Sequence, residues 1–161
     1  MIIHPEPLTS AAFEPFGEVL SLDAVSPELI NAGHTEKFAD LAKVSLHNGG
    51  RAQVCIYRSS AIELPFRIRL LERHPLGSQL FYPLHDRPFP VVVALPLDTP
   101  RAEDIRVFLS NGRQGVNLHA NVWHHYQLTL GQTSDYIVVD RSGPGANCQE
   151  HHLNGEVLLQ L

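Results

Sequence analysis

The chain has 161 residues, a hydrophobic fraction of 43% and a formal net charge of −5 at pH 7, which fits one domain (residues 1–161) with a core of its own. Its 12 Lys and Arg stand against 17 Asp and Glu without a long block of either sign, which argues against broad nucleic-acid or anionic-membrane binding. Lys37 and Lys43 are the only lysines, so a catalytic amine has two places to come from.

Twelve prolines and 11 glycines are scattered along the whole chain and cut it into short pieces, a β signal. In chain order, a brief helix capped by Thr9 or Ser10 and stopped by Pro15 and Gly17 comes first. Strands are expected at 17–20, 42–46, 53–57, 62–71, 79–83, 90–94, 105–109, 115–118, 125–128 and 135–140, rich in Val, Ile, Phe and Tyr and separated by turn signals such as "HPLG" and "SNGRQG". A helical turn near Pro100 precedes the strand at 105–109. Short strands without intervening long helices predict an all-β sandwich or barrel with a few short helices. No apolar run reaches membrane-span length, and the N-terminus lacks the regions of a secretory signal, so the expectation is a soluble, cytoplasmic protein without membrane partners. Cys55, inside "QVCIY", reads as a buried free thiol.

Ten histidines are many for this length. His4, His34, His47 and His85 lie in turns or polar stretches and read as exposed, and His151 and His152 as part of a polar tail. Two clusters stand out. In "LLERHPLGSQLFYPL", Glu72 and His74 are two apart and share a face if extended, with Gln79 returning from the next strand to meet them and Tyr82 further along. In "GVNLHANVWHHYQL", His124 and His125 would face opposite ways, so one of them faces the interior; His124 is the candidate and Trp123 a packing residue. Imidazole with carboxylate or amide suits Zn, Ni, Fe or Mn and suits metal-free acid–base chemistry equally. Zinc-peptidase, phosphate-loop, Cys-x-x-Cys and dinucleotide signatures are absent. Arg58, after the apolar run, is expected either to grip a small carboxylate or to pair with a carboxylate side chain, and Arg141 poses the same question beside Asp140.

With those residues in hand, the chain resembles the ureidoglycolate lyases, a cupin-like family of allantoin degradation. The resemblance rests on "LTSAAFEPFGEVL", "INAGHTEKFADLA", "ERHPLGSQ", "PVVVALP", "GVNLHANVWHH", "DYIVVDRSG" and "NCQE", nearly the whole chain. Against the cupin motifs, the first falls on Glu72, His74 and Gln79 and the second on His119, Asn121 and His124, with Gln79 where a Glu is usual. The resemblance implies a cupin-like β-barrel, a homodimer, and cleavage of (S)-ureidoglycolate into glyoxylate and urea. On that reading His74 and His124 share the roles of base and of acid or metal ligand, and Glu72 sets their tautomer or completes a metal shell. Gln79 and Tyr82 contact the substrate's polar groups, and Arg58 holds its carboxylate. Glu72, His74, Gln79 and His124 form the candidate set for a divalent ion such as Ni2+, and a site without metal is the alternative. The segment around Asn31, His34 and Lys37 is expected over or beside the site. Competing readings are an amidohydrolase releasing ammonia and a cupin that binds small carboxylates without turnover.

Overall fold

The computed structural model describes residues 1–161. In chain order it contains β1 (Ile2–Ile3), β2 (Glu6–Pro7), the single-turn helix α1 (Ser10–Phe13), β3 (Gly17–Leu20), β4 (Glu28–Ile30), β5 (Thr35–Lys37), β6 (Arg51–Ser59), β7 (Phe66–Arg73), β8 (Gln79–Pro83), β9 (Pro90–Ala94), β10 (Arg106–Leu109), β11 (Gly115–Leu118), β12 (Trp123–His124), β13 (Ser134–Ser142) and β14 (Gln149–Leu159). A seven-stranded sheet runs β1-β14-β7-β12-β9-β10-β2 and a five-stranded sheet runs β3-β11-β8-β13-β6, with β4 and β5 forming a separate hairpin. The fold is all-β and cupin-like, as the distribution of turn residues predicts. No helix is long and apolar enough to cross a membrane.

Two apolar clusters explain why "PVVVA" reads as a continuous apolar run. Every residue of β9 is buried, because both faces of its sheet are covered. Val91 and Val93 point between the sheets, where they join Phe13, Phe16, Phe81, Phe108, Val116, Tyr136 and Val138. Val92 and Ala94 point the other way, into a second cluster with Ile68, Leu71, Val107, Trp123, Leu128, Val157 and Leu159. At roughly 1.5–3 kcal/mol per fully buried large apolar side chain, these clusters dominate the favourable side of folding. Thr9 caps α1 through its hydroxyl, which accepts from the Ala12 amide at 3.2 Å, and Phe13 carries the helix into the inter-sheet core.

Several expectations are corrected. Residues 42–46 form no strand; their backbone is tied down by side chains, with the Ser45 amide donating to Ser78 Oγ at 2.9 Å and the Asn117 amide to the Lys43 carbonyl at 3.0 Å, and a lone bridge joins Leu46 to Gly77. The strand expected at 125–128 lies at 123–124 instead. The supposed polar tail is β14, which pairs with β7 from Gln149 to Leu159 across a register shift between His152 and Val157. Its solvent-facing residues concealed it, since within the strand only Val157 and Leu159 are buried. Cys55 is half-buried rather than buried. His85 is half-buried, edge-on to Tyr136 and Phe89.

Arg141 does not pair with Asp140. It is 7% exposed and donates to the carbonyls of His47, Asn48 and Pro144 at 2.7, 3.1 and 2.7 Å. Glycine makes room for it: a Cβ on Gly50 would lie 2.3 Å from its Nε, and one on Gly77 2.7 Å from its Cβ. This buried cation therefore pins two loops, the second of which leads directly to the site.

Candidate active site

The site lies between the sheets at the C-terminal end of β7. Alternation along that strand sends Leu71 into the second core and Glu72 inward. Arg73 turns outward again, its guanidinium 4.4 Å from the Trp123 ring centre, and His74, one residue past the strand, returns to the side of Glu72. β12 is a two-residue wedge between β7 and β9, with His124 directly opposite Glu72 in the ladder. Trp123 belongs to the second core, so its neighbour His124 must point inward. From the facing sheet, Gln79 at the start of β8 closes the group.

Glu72 Oε1 lies 3.6 Å from His124 Nε2 and 4.0 Å from His74 Nε2, and the two imidazole centres are 5.0 Å apart. The tautomers follow from the other side of each ring. His74 Nδ1 faces the Asn147 carbonyl at 2.7 Å and His124 Nδ1 faces the Val122 carbonyl at 3.0 Å. A carbonyl oxygen only accepts, so each Nδ1 carries the hydrogen and each Nε2 offers a lone pair. Glu72 sits on the Nε2 side and so does not set the tautomers; Asn147 and Val122 do. Asn147 is anchored in turn, its side-chain oxygen accepting from the Leu76 amide at 2.7 Å.

His74 Nε2, His124 Nε2 and Gln79 Oε1 are all buried and all lack a hydrogen-bond partner. Unpaired buried polar atoms are costly, and here the two imidazole nitrogens gather around the Glu72 carboxylate, with Gln79 lining the same cavity as Glu72 and His74. Burial, helped by the neighbouring His124, pushes His74 below the ordinary imidazole value, so it rests neutral. Two imidazoles, a carboxylate and an amide oxygen form a donor set that fits a first-row divalent cation; the Glu72, His74 and His124 ligand atoms all lie within 4.8 Å of one another.

Glu72, His74 and Gln79 open onto a cavity of ≈ 280 Å³, and His124 lines the adjoining crevice with Phe81, Tyr126 and Gln127. The cavity's remaining walls are Tyr57 and Ser59 of β6, Phe81 of β8, Tyr126 and Gln127 beyond β12, and Asp140 of β13. None of its lining residues is Lys or Arg. Burial, and then the nearby Asp140 carboxylate, push the Tyr57 phenol above its ordinary value.

The sequence-predicted residues thus divide. Glu72, His74, Gln79 and His124 come together as expected from spacing. Arg58 does not reach the cavity: it makes a bidentate pair with Asp135 at 2.8 and 2.9 Å on the opposite, exposed face, since Tyr57 and Ser59 take the inward positions on either side of it. Tyr82 is three residues from Gln79 and so faces away from the cavity, its ring packed over Gly115. His119 lies outside, 3.4 Å from Glu18. Residues 31–37 are exposed and do not line the cavity. Tyr57, Ser59, Tyr126 and Gln127 were missed, and Asp140, expected to pair with Arg141 or to orient a histidine, lines the cavity instead. Counting by twos from Cys55 would have found Tyr57 and Ser59.

Fold and site together define a cupin-like protein whose inter-sheet cavity gathers acceptors suited to a cation. Comparison with known proteins narrows the class. A family model described as ureidoglycolate lyase matches residues 1–160. A ureidoglycolate lyase of Azotobacter vinelandii is 48% identical over 161 residues, covering 99% of this chain and 97% of that one. Those of Pseudomonas entomophila and Pseudomonas syringae pv. syringae are each 49% identical over 157 residues, covering 97% of this chain and 94% and 92% of theirs. The chain belongs to the ureidoglycolate lyase family.

Proposed function

We propose that this chain is a carbon–nitrogen lyase that splits (S)-ureidoglycolate into glyoxylate and urea, and that Glu72, His74, Gln79 and His124 hold a divalent cation at the reacting end of the cavity. The observation that carries the reading is the gathering of two unpartnered buried imidazole nitrogens and the Glu72 carboxylate within 4.8 Å of one another, with the unpartnered Gln79 oxygen beside Glu72 and His74 in the cavity lining. Family membership supports the substrate.

The reaction moves one proton and breaks one bond. The hydroxyl proton leaves, the C–O bond becomes the aldehyde carbonyl of glyoxylate, the C–N bond breaks, and the departing nitrogen takes a proton to complete urea. No water is consumed and no acyl-enzyme is needed. A bound cation would be held by Nε2 of His74 and of His124, Oε1 of Gln79 and one carboxylate oxygen of Glu72. The second Glu72 oxygen accepts the hydroxyl proton and returns it to the leaving nitrogen. A bound cation supplies Lewis acidity toward the substrate's hydroxyl and the positive charge that the lining residues lack.

The working form we propose is a cytoplasmic homodimer. Support for the dimer comes from β6, an edge strand whose outward Val54 and Ile56 are 71% and 66% exposed, an apolar face of the kind that two-fold contacts cover. The test of function is a product assay on (S)-ureidoglycolate corrected for spontaneous decay. Glyoxylate and urea in equal amounts are expected; ammonium in place of urea would indicate a hydrolase, and no acceleration over decay would overturn the reading.

A further inference from the structure

The cavity has a charge asymmetry that neither the family resemblance nor the candidate cation set explains. Its lining includes two carboxylates, Glu72 and Asp140, and no Lys or Arg. Glu72 belongs to the acceptor cluster. Asp140 lies beside it, on β13 opposite Gln53 of β6 and one register step past the Val139–Leu80 pair, next to Gln79 of β8.

Asp140 is poorly matched to a purely structural role. Its side-chain partners are Gln53, whose Nε2 donates to Oδ1 at 3.3 Å, and the neighbouring Tyr57 phenol, which leaves the carboxylate with acceptor capacity to spare. The adjacent Arg141, the obvious counter-ion, turns to the other face of the strand and spends its hydrogens on three carbonyls. An ionised carboxylate facing a cavity without a cation suits a ligand that brings N–H donors of its own.

The proposed substrate has two chemically distinct ends: an α-hydroxy acid, anionic and rich in acceptors, and a ureido group, neutral and rich in N–H. The anionic end is repelled by Asp140 and can approach Glu72 only where a cation is held. The ureido end fits Asp140 itself, because two of its N–H groups point the same way and match the two oxygens of one carboxylate, the fork geometry that guanidinium groups use.

Resting on the proposed lyase reading, we infer that Asp140 forms a ureido-recognition subsite, its carboxylate accepting the substrate's N–H groups, with Tyr57 of the adjacent strand lining the same cavity. Asp140 is thus a substrate-binding residue that orients the molecule so that its hydroxy-acid end reaches Glu72, His74, Gln79 and His124. The ligand class is a urea or monosubstituted urea.

The test compares two unreactive probes by calorimetric titration of the metal-loaded protein: oxalurate, which carries both ends, and glycolate, which carries only the hydroxy-acid end. Asp140→Ala should weaken oxalurate at least tenfold, leave glycolate within twofold, and raise KM for ureidoglycolate by more than it lowers kcat. Asp140→Asn, which keeps the shape and exchanges one acceptor for a donor, should behave alike, and circular dichroism confirms that both variants fold. Oxalurate binding that ignores both substitutions, or loss of oxalurate and glycolate in equal measure, overturns the subsite. If the unaltered protein turns over ureidoglycolate while its Asp140 variants match it, the subsite fails and the lyase reading stands. If the unaltered protein shows no turnover, the lyase reading fails; the subsite then stands if oxalurate binding still depends on Asp140 and falls if it does not.

Discussion

Glu72 and His124 face each other across the β7–β12 ladder, in register, with Oε1 and Nε2 3.6 Å apart. The distance is too long for a good hydrogen bond and short enough for a shared ion. His124 is 2% exposed, so its free lone pair is not satisfied by bulk water. The pair therefore carries a cost that the proposed cation would remove.

A first prediction concerns stability. At a divalent cation concentration a hundredfold above its dissociation constant, binding adds about 2.7 kcal/mol to folding, a rise in Tm of roughly 5–10 °C for a chain of this size. His124→Ala should abolish that rise without lowering the Tm of the metal-free protein by more than a few degrees, since it removes an unpartnered acceptor. Thermal denaturation with and without added Ni2+ or another first-row ion checks both halves.

Activity should follow the same residues. Gln79→Ala and His74→Ala are each expected to lower kcat/KM by about 100-fold or more, on the scale of removing a group that acts in the transition state. Arg58→Ala and Tyr82→Phe should leave it within about twofold, because neither side chain faces the cavity. Steady-state kinetics on the four variants separates the two groups.

How far the site could be read in the sequence follows from parity. Glu72 and His74 share a face because they are two apart, and that reading survived the end of β7 between them. Arg58 fails by the same rule: Cys55 and Tyr57 face inward, so Arg58 must face out. Asp140 was legible only once β13 was known to continue through Ser142, with Arg141 turned to the outer face. The all-β fold was legible from turn residues and apolar runs. β14 was not, because a strand with one solvated face and a register shift has no continuous apolar pattern, and its pairing with β7 is long-range.

The loop-clamping role of Arg141 predicts a large effect from a residue outside the cavity. Arg141→Leu leaves three carbonyls without their donor, and the loss should be about 3 kcal/mol or more. Denaturant titration measures it. Because Pro144 and Asn147 share a loop, and the Asn147 carbonyl orients His74, metal affinity should fall as well.

Acid should destabilise the metal-free fold in a defined window. Burial, with Arg87 nearby, holds His85 below the ordinary imidazole value. The folded state thus binds this proton less readily than the unfolded chain, so its contribution is present above the unfolded pKa of about 6.5 and lost as pH falls through that value toward the lower folded one. His85→Gln should reduce the drop in Tm between pH values of about 7.5 and 5.5.

The proposed dimer face is tested by charge. Ile56→Glu places a carboxylate on the outward face of β6, and a dimer held there should sediment as a monomer. An unchanged dimer would move the contact elsewhere.

The most direct test joins the cation to the chemistry. Purified protein stripped of metal is assayed on (S)-ureidoglycolate for glyoxylate, urea and ammonium, then reloaded with one divalent ion at a time while bound metal is counted. The account predicts loss of activity on stripping, and recovery of glyoxylate and urea in equal amounts as one ion per chain binds, with no recovery in His124→Ala. Full lyase activity in the stripped protein, or reloading that restores metal without turnover, would contradict it.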